Sequence, residues 1–367
     1  FRGAPGEARR VELDEAPIRE LVQRIAAEVN QEPVNARFDW AGGALNVIRP
    51  SREGRQLDVE ETVRLIRERA FAEQRVVNLP VAITPPAVSE ADRHQLGIKE
   101  LIETASTSFA GSSPPKRHNI QLAASRLHGV VVPPGGLFSF NKELGPTTLD
   151  NGYQIGWGIE ATGEGHRTVP SVAGGICQVA TTLFQAVFWS GYQIEERNWH
   201  LYWIRAYGMP PKGMKGLDAT VAEEYGLDFK FKNTTNDWIA VVAKADGQWV
   251  RFEIWGTKPG WRVEVDDPIV TNVVKADPTP VFRESPDLAP GQQVVVEQAR
   301  DGFDVEIRRR VYQGDQLIDE LVLRSHYLPS SNVTLVGPRP GSSEQDSPSE
   351  QQAPAQPTPE PVPQPGQ

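Results

Sequence analysis

The chain has 367 residues, 39% of them apolar, a formal charge of −10 and a single cysteine. That length and composition suit about two to four packed domains, and an acid excess with no basic stripe excludes a nucleic-acid binder that works by neutralising phosphate. No apolar run reaches the roughly 18 residues of a membrane span, and Phe1-Arg2-Gly3 does not begin a signal peptide. A membrane anchor or export signal is therefore expected only in a segment outside this chain.

Between Asp14 and Val29 the residues Ile18, Leu21, Val22, Ile25 and Val29 trace one face of a helix. Ala36 to Trp40 and Ala44 to Ile48 flank Gly42-Gly43 as a hairpin. Asp58 with Glu61 marks the start of a second helix through Val63, Leu65, Ile66 and Ala70. These elements make a small α+β module, 1–88, with binding surface and no catalytic cluster.

In the next segment, 89–259, the run from His118 to His128 predicts a helix stopped by Gly129, followed by a strand at Val130 to Val132, a turn and a second strand through Phe138. Asn151 to Val172 is rich in glycine and polar residues without periodicity and is expected as a loop. Ala180, Leu183, Phe184, Val187 and Phe188 then recur at intervals of three and four, so a buried helix opens at Cys177 and stops at Gly191. Strands are expected at Asp228 to Lys232, Trp238 to Lys244 and Trp249 to Trp255, the last two joined around Asp246-Gly247. From 262 to 337, Val294 to Val296, Phe303 to Val311 and Leu317 to Leu323 predict an all-β meander. In 338–367 proline, glutamine, serine and glutamate dominate, which predicts a disordered tail. The fold class is α+β multidomain.

Cys177 sits in Gly174-Gly175-Ile176-Cys177-Gln178. At a helix start the unpaired N–H groups and the macrodipole favour thiolate, and the backbone of Gly174, Gly175 and Gln178 is expected to hold an oxyanion. An isolated cysteine is more often a small buried hydrophobe; the glycine turn and helix start shift the reading towards a nucleophile. Such a thiol needs a base and an orienting group. His200 is preferred as base, where a strand can return beside the helix start; His166, just before the thiol motif, is its rival, and His118 is third. Asp218 is preferred as the orienting group, although aspartate after glycine is also a common turn residue. Arg197, Arg205, Lys212 and Lys215 occur in a stretch without acids. Arg197 and Arg205 can seat a carboxylate, while Trp199 and Tyr202, with His166, can line a sugar or peptide; a core strand with solvated basic residues explains the stretch nearly as well. Metal and nucleotide signatures are absent, so no metal and no cofactor is expected.

Phe138-Ser139-Phe140-Asn141, Leu144-Gly145-Pro146, Gly152-Tyr153, the Cys177 motif, Thr181-Thr182-Leu183, His200, Asp218-Ala219-Thr220-Val221 and Asp228-Phe229-Lys230-Phe231-Lys232-Asn233 occur in the order of the VanW family, which the segment from about Gly97 to Gly256 resembles. Upstream, Ala36-Arg37-Phe38 and its flanking helices resemble the peptidoglycan-binding domain that often precedes VanW; downstream, Leu288-Ala289-Pro290-Gly291 to Gly337 looks, more loosely, like a five-glycine domain. The resemblance implies a bacterial cell-envelope protein, extracellular, whose partners are peptidoglycan stem peptides and glycan. Some members are assigned as L,D-transpeptidases with a catalytic cysteine, which implies Cys177 as nucleophile, His200 as proton carrier and Asp218 as its orienter. A non-catalytic wall-binding scaffold and a cysteine peptidase of stem peptides are the competing readings. The chain departs from the family in carrying Ala173 where a third glycine is usual, and in the aromatic Leu201-Tyr202-Trp203-Ile204-Arg205.

Overall fold

The computed structural model describes residues 13–162, 165–286 and 288–338, without the side chains of 159–168. The expected tail, 338–367, lies outside the described residues beyond Pro338. Helix α1 (Glu15–Val29) begins where the Asp14 carboxylate accepts the Ala16 N–H at 3.0 Å. Strands β1 (Arg37–Ala41) and β2 (Ala44–Arg49) form the hairpin at the Gly42-Gly43 turn. Strand β3 (Gly54–Leu57) leads into α2 (Val59–Arg69), where Asp58 accepts the Glu61 N–H at 2.9 Å while the Glu61 side chain turns to Arg64. Strand β4 (Val81–Thr84) pairs with β3, and Val22, Ala26, Leu57 and Val63 form a separate small core.

The central part begins with β5 (Glu100–Ser108), α3 (Pro114–Leu127), β6 (Val130–Val132), β7 (Leu137–Ser139) and the short α4 (Phe140–Leu144). Strands β8 (Ile155–Thr162) and β9 (Gly165–Val172) pair along their whole length, in the stretch expected to be a loop. Ile155 is 55% exposed and Val172 38% exposed at the base of this ribbon. Its first strand alternates Ile155, Trp157, Ile159 and Ala161 with Gly156, Gly158, Glu160 and Thr162, so the expectation of a stretch without periodicity is corrected: a period of two was present beneath the glycine-rich composition.

Helix α5 (Ile176–Ser190) is followed by β10 (Gln193–Glu196), β11 (Lys230–Lys232), β12 (Ile239–Ala245) and β13 (Trp249–Gly256). The antiparallel sheet β5-β13-β12-β6 is covered on both faces. Val130, Val132, Ile239, Val241 and Phe252 join the core of α3 and α5, whereas Val131 and Ala240 meet Phe38 and Leu45 of the hairpin, beside a Trp40–Trp255 stack at 4.8 Å. Double burial explains why residues 239–243 of β12 are all apolar and buried. On its other side α5 meets the sheet β10-β11-β7, with Phe184 edge-on to Phe229 at 5.5 Å. Enclosed in this way, α5 buries nearly every side chain it has.

Beyond lie β14 (Arg262–Val265), β15 (Ile269–Val274), β16 (Pro280–Glu284), β17 (Gln293–Glu297), β18 (Gly302–Gln313), β19 (Gln316–Tyr327) and β20 (Asn332–Val336). The described residues divide into two compact units, 13–275 with 300–329, and 276–299 with 330–338. In the first, β14 and β15 flank β18, β19 pairs with β18, and Phe303, Val305, Ile307, Leu323 and Tyr327 enter the same core as α5. In the second, β20 pairs with β16 in parallel and with β17 antiparallel. The meander expected from consecutive strands therefore loses β17, whose partner comes from beyond the β18–β19 hairpin. Among the described residues no helix is long and apolar enough to cross a membrane.

Candidate active site

The turn into α5 is built from residues that a larger side chain would spoil. A Cβ on Gly174 would lie 2.8 Å from the Trp157 backbone, and Gly175, the N-cap, has φ 114° and no side-chain cap. The buried amide of Asn119 pins this turn: Nδ2 donates to Gly174 O at 3.0 Å and to Gln154 O at 2.9 Å, and Oδ1 accepts the Gln154 N–H at 2.8 Å. Ala173 is left-handed, at φ 64°, where the family usually has glycine. Among the described residues the N–H groups of Gly174, Gly175 and Cys177 have no acceptor, whereas those of Ile176 and Gln178 go to Ala173 O and Gly175 O. The expected oxyanion role of Gln178 is thereby corrected: its N–H is spent at 3.1 Å, and its side chain donates to Thr107 Oγ1 and Ser108 O.

Three residues one turn apart fasten the segment 217–221 along α5. Cys177 Sγ donates to Val221 O at 3.5 Å, Thr181 Oγ1 donates to Ala219 O and accepts the Ala219 N–H, both at 3.0 Å, and Gln185 Nε2 donates to Leu217 O at 2.9 Å. This places Asp218 near the thiol end of the helix. His200 lies not in a strand but in an irregular stretch tied by a single bridge between Asn198 and Thr220. Asp218 Oδ2 accepts the His200 backbone N–H at 3.0 Å and also bonds Nδ1. The carboxylate thus fixes the proton on Nδ1 and leaves Nε2, which is buried without a partner among the described residues.

The other face of Asp218 explains Arg197. Its guanidinium donates to Asp218 Oδ1 at 2.7 Å, Gly216 O at 2.6 Å and Ser325 Oγ at 2.7 Å, and Oδ1 also accepts the Tyr327 hydroxyl. Arg197, expected to seat a substrate carboxylate, is buried and its donors are committed to holding Asp218. Burial alone would raise the Asp218 carboxyl, but Arg197 and the His200 imidazolium outweigh it and keep it well below the usual range. Burial likewise opposes charge on His200; Asp218 and Cys177 overcome this and raise the imidazole to about 9. Burial also opposes the thiolate of the half-buried Cys177, and the neighbouring His200 brings the thiol below its ordinary value. A thiolate beside an imidazolium held on a carboxylate is suited to covalent acyl transfer.

The remaining expected residues are spread more widely. Trp199 is 42% exposed, Tyr202 is half-buried, and Arg205 is exposed in a single helical turn. His118 sits 2.7 Å from Gly152 O and braces that loop. His166 lies in β9, but its side chain is outside the described residues. Sequence reasoning missed Asn119, Ser325 and Tyr327, and also Lys116, whose field reaches Cys177, and it quoted Thr181 only as a motif residue without a role. The available signal was Cys177, Thr181 and Gln185 at intervals of four in an apolar helix; Ser325 and Tyr327 look like ordinary inward strand positions. Among the described residues no three His, Cys, Asp or Glu side chains converge as a metal site requires.

Residues 115–255 match the family model described as "VanW like protein", and 7–78 match "Putative peptidoglycan binding domain". Among curated proteins, the uncharacterized protein YoaR of Bacillus subtilis is 32% identical over 62% of this chain and 70% of its own length. The vancomycin B-type resistance protein VanW of Enterococcus faecalis is 28% identical over 39% of this chain and 50% of its own. A solved G5 domain of IgA1 protease is 23% identical over 23% of this chain and all of its own, but a TM-score of 0.13 adds nothing to the assignment. With YoaR matched over more than two thirds of its length and the VanW model spanning the thiol site, the chain belongs to the VanW family.

Proposed function

We propose that this protein is a peptidoglycan L,D-transpeptidase of the bacterial cell envelope that uses Cys177 as its nucleophile. The observation that carries the reading is the buried His200 ring, fixed through Nδ1 on Asp218 and coupled to the thiol with Nε2 unspent. The thiolate attacks the carbonyl carbon ahead of the terminal D-alanine of a stem tetrapeptide. The N–H groups of Gly174, Gly175 and Cys177 offer donors for the oxyanion. As the C–N bond breaks, the His200 imidazolium passes its Nε2 proton to the departing amine, and a thioester remains on Cys177. A side-chain amine of a second stem attacks this thioester while neutral His200 takes up its proton; the thiolate leaves, and a 3-3 cross-link and the starting ion pair result. Water in place of the amine gives carboxypeptidase chemistry.

The family match of the N-terminal region supports peptidoglycan binding by a module at 1–88, ahead of a catalytic domain at 89–259. The expected five-glycine-like module at 262–337 is not kept as one body, because β14, β15, β18 and β19 belong with α5 and only β16, β17 and β20 form a separate unit. Trp199, Tyr202 and Arg205 remain the proposed lining for peptide or glycan. The reading is tested by intact-protein mass after incubation with a disaccharide tetrapeptide, comparing the native chain with Cys177→Ala and then adding an amine acceptor. A Cys177-dependent adduct of substrate minus D-alanine, discharged into a cross-linked dimer, is expected. Saturable muropeptide binding by both proteins with no adduct would instead make this a wall-binding module.

A further inference from the structure

Helix α3 grips the thiol turn with one face. Asn119 binds Gly174 O, and the side chain of Ile120 comes within 3.1 Å of where a Cβ on Gly175 would lie. Lys116 precedes them by three and four residues, so it projects from the same face one turn nearer the helix start. Its Cγ is 3.0 Å from that Cβ position, so glycine at 175 is what lets the lysine stem pass. Beyond the stem, the ammonium is near enough to Cys177 for the two charges to interact.

Lys116 makes no hydrogen bond and no ion pair among the described residues. Burial pushes its ammonium below the ordinary lysine value, with the Cys177 charge opposing that shift. Half-buried at the thiol turn and without a hydrogen-bonded anion of its own, this cation is incompletely solvated and incompletely paired. A ligand that brings the anion completes the pair. Arg197 cannot play this part, because its donors are committed to Asp218, Gly216 and Ser325.

We propose that Lys116 binds the carboxylate of the residue that leaves from the Cys177 site, so that the enzyme selects peptides ending one residue past the scissile bond. The inference rests on the reading of Cys177 as an acyl-transfer nucleophile. In the terminal residue of such a peptide the carboxylate is separated from the leaving nitrogen by one Cα, which matches a cation beside the thiol turn. A peptide longer by one residue presents an amide there and leaves the ammonium unpaired. Lys116 is thus a specificity determinant for a free C-terminal carboxylate, separate from the proton machinery of His200.

The single cysteine makes the test site-specific. Cys177 is alkylated with iodoacetate and with the neutral iodoacetamide, in the native chain, Lys116→Met and Lys116→Arg, with circular dichroism to verify folding. The iodoacetate-to-iodoacetamide rate ratio is expected to fall roughly 10-fold or more in Lys116→Met, as loss of a charge-assisted hydrogen bond predicts, and to recover in Lys116→Arg. An unchanged ratio overturns the proposal. So does a parallel fall of both rates, which marks Lys116 as a thiolate stabiliser or a packing residue. A second arm compares acyl-adduct formation from a tetrapeptide and from its C-terminal amide; the native preference for the acid is expected to vanish in Lys116→Met, and its persistence overturns the proposal. If neither peptide acylates the native chain, the transpeptidase reading fails, and the alkylation ratio still decides whether a carboxylate site exists.

Discussion

The two ends of α5 are treated in opposite ways. At the C-terminal end Gly191 closes the helix, Trp261 Nε1 donates to Ser190 O at 2.8 Å, and the fully buried Arg309 donates to Phe188 O and Tyr192 O, both at 2.9 Å. Exposed carbonyls and the negative pole of the helix are thus answered by a guanidinium, itself paired with Asp319 at 2.8 Å. At the N-terminal end no side chain caps the helix, glycine makes the turn, and N–H groups stay unspent beside a thiol. The contrast teaches that the same kind of unsatisfied backbone group is neutralised at one end of the helix and left available beside the thiol at the other, where the proposed chemistry would use it.

Removing the group at the open end has the largest expected effect. Cys177→Ala should abolish adduct and dimer formation by about 10⁴-fold or more while leaving the urea midpoint nearly unchanged, and residual turnover in the alanine variant would refute the assignment. Next comes Asp218→Asn, for which acylation should fall about 10³ to 10⁴-fold. In the native chain the pH profile should rise through the lowered thiol value and fall near 9, where His200 loses its proton. Without the carboxylate the imidazolium is less favoured, so the thiol's alkylation profile should move to higher pH; an unmoved profile would detach Asp218 from the pair. The signs for stability run the same way. His200, raised in the folded chain, contributes fully below about 6.5 and loses that contribution as pH rises through about 9. Asp218, depressed, contributes above about 3.9 and loses it as pH falls through its lower folded value.

The closed end should answer in stability. Arg309→Met leaves Tyr192 O without this donor and the partly exposed Asp319 without its partner, while Phe188 O keeps the Gly191 N–H; a loss of about 2–3 kcal/mol is expected in urea denaturation, with acylation by the folded fraction within a few-fold of native. If chemistry fell and stability did not, the division of labour between the ends would be wrong. Tyr327→Phe removes a hydroxyl from the Asp218 carboxylate and should cost about 1.5–3 kcal/mol, read from the same titration. The smallest effect is at Ala173, whose left-handed backbone is unfavourable for an L-residue: Ala173→Gly should stabilise by about 0.5–1 kcal/mol after the greater freedom of glycine in the unfolded chain is set against the relieved strain. A destabilised glycine variant would show that no strain is stored there.

Local signals accounted for much of the scaffold. The Gly42-Gly43 hairpin, the Asp58 helix start, the β12–β13 pair and the helix entered at Cys177 each followed from a turn residue, a cap or a hydrophobic period. The β8–β9 ribbon escaped because the alternation of Ile155, Trp157, Ile159 and Ala161 is interleaved with glycines that read as a loop, and β17 because strand pairing skipped a hairpin. At the site, Cys177, His200 and Asp218 could be named from motif and chemistry. Arg197 was misread because charge in a sequence does not say which carboxylate it faces. Ser325 and Tyr327 were invisible because their role depends on a hairpin arriving from far along the chain.

That late arrival sets an order of events. Tyr327 reaches Asp218 across 109 residues, and Ser325 reaches Arg197 across 128. Chains are made and begin to fold from the N-terminus, so Cys177 leaves the ribosome long before the hydroxyls that brace Asp218 and Arg197. Until the β18–β19 hairpin closes, Asp218 and Arg197 lack the two hydroxyls that bond them, and the partners of the thiol are held by fewer contacts. A fragment ending with the VanW match at 255 would keep Cys177, His200 and Asp218 together with Arg197 and, of the groups that bond them, lack only those two hydroxyls.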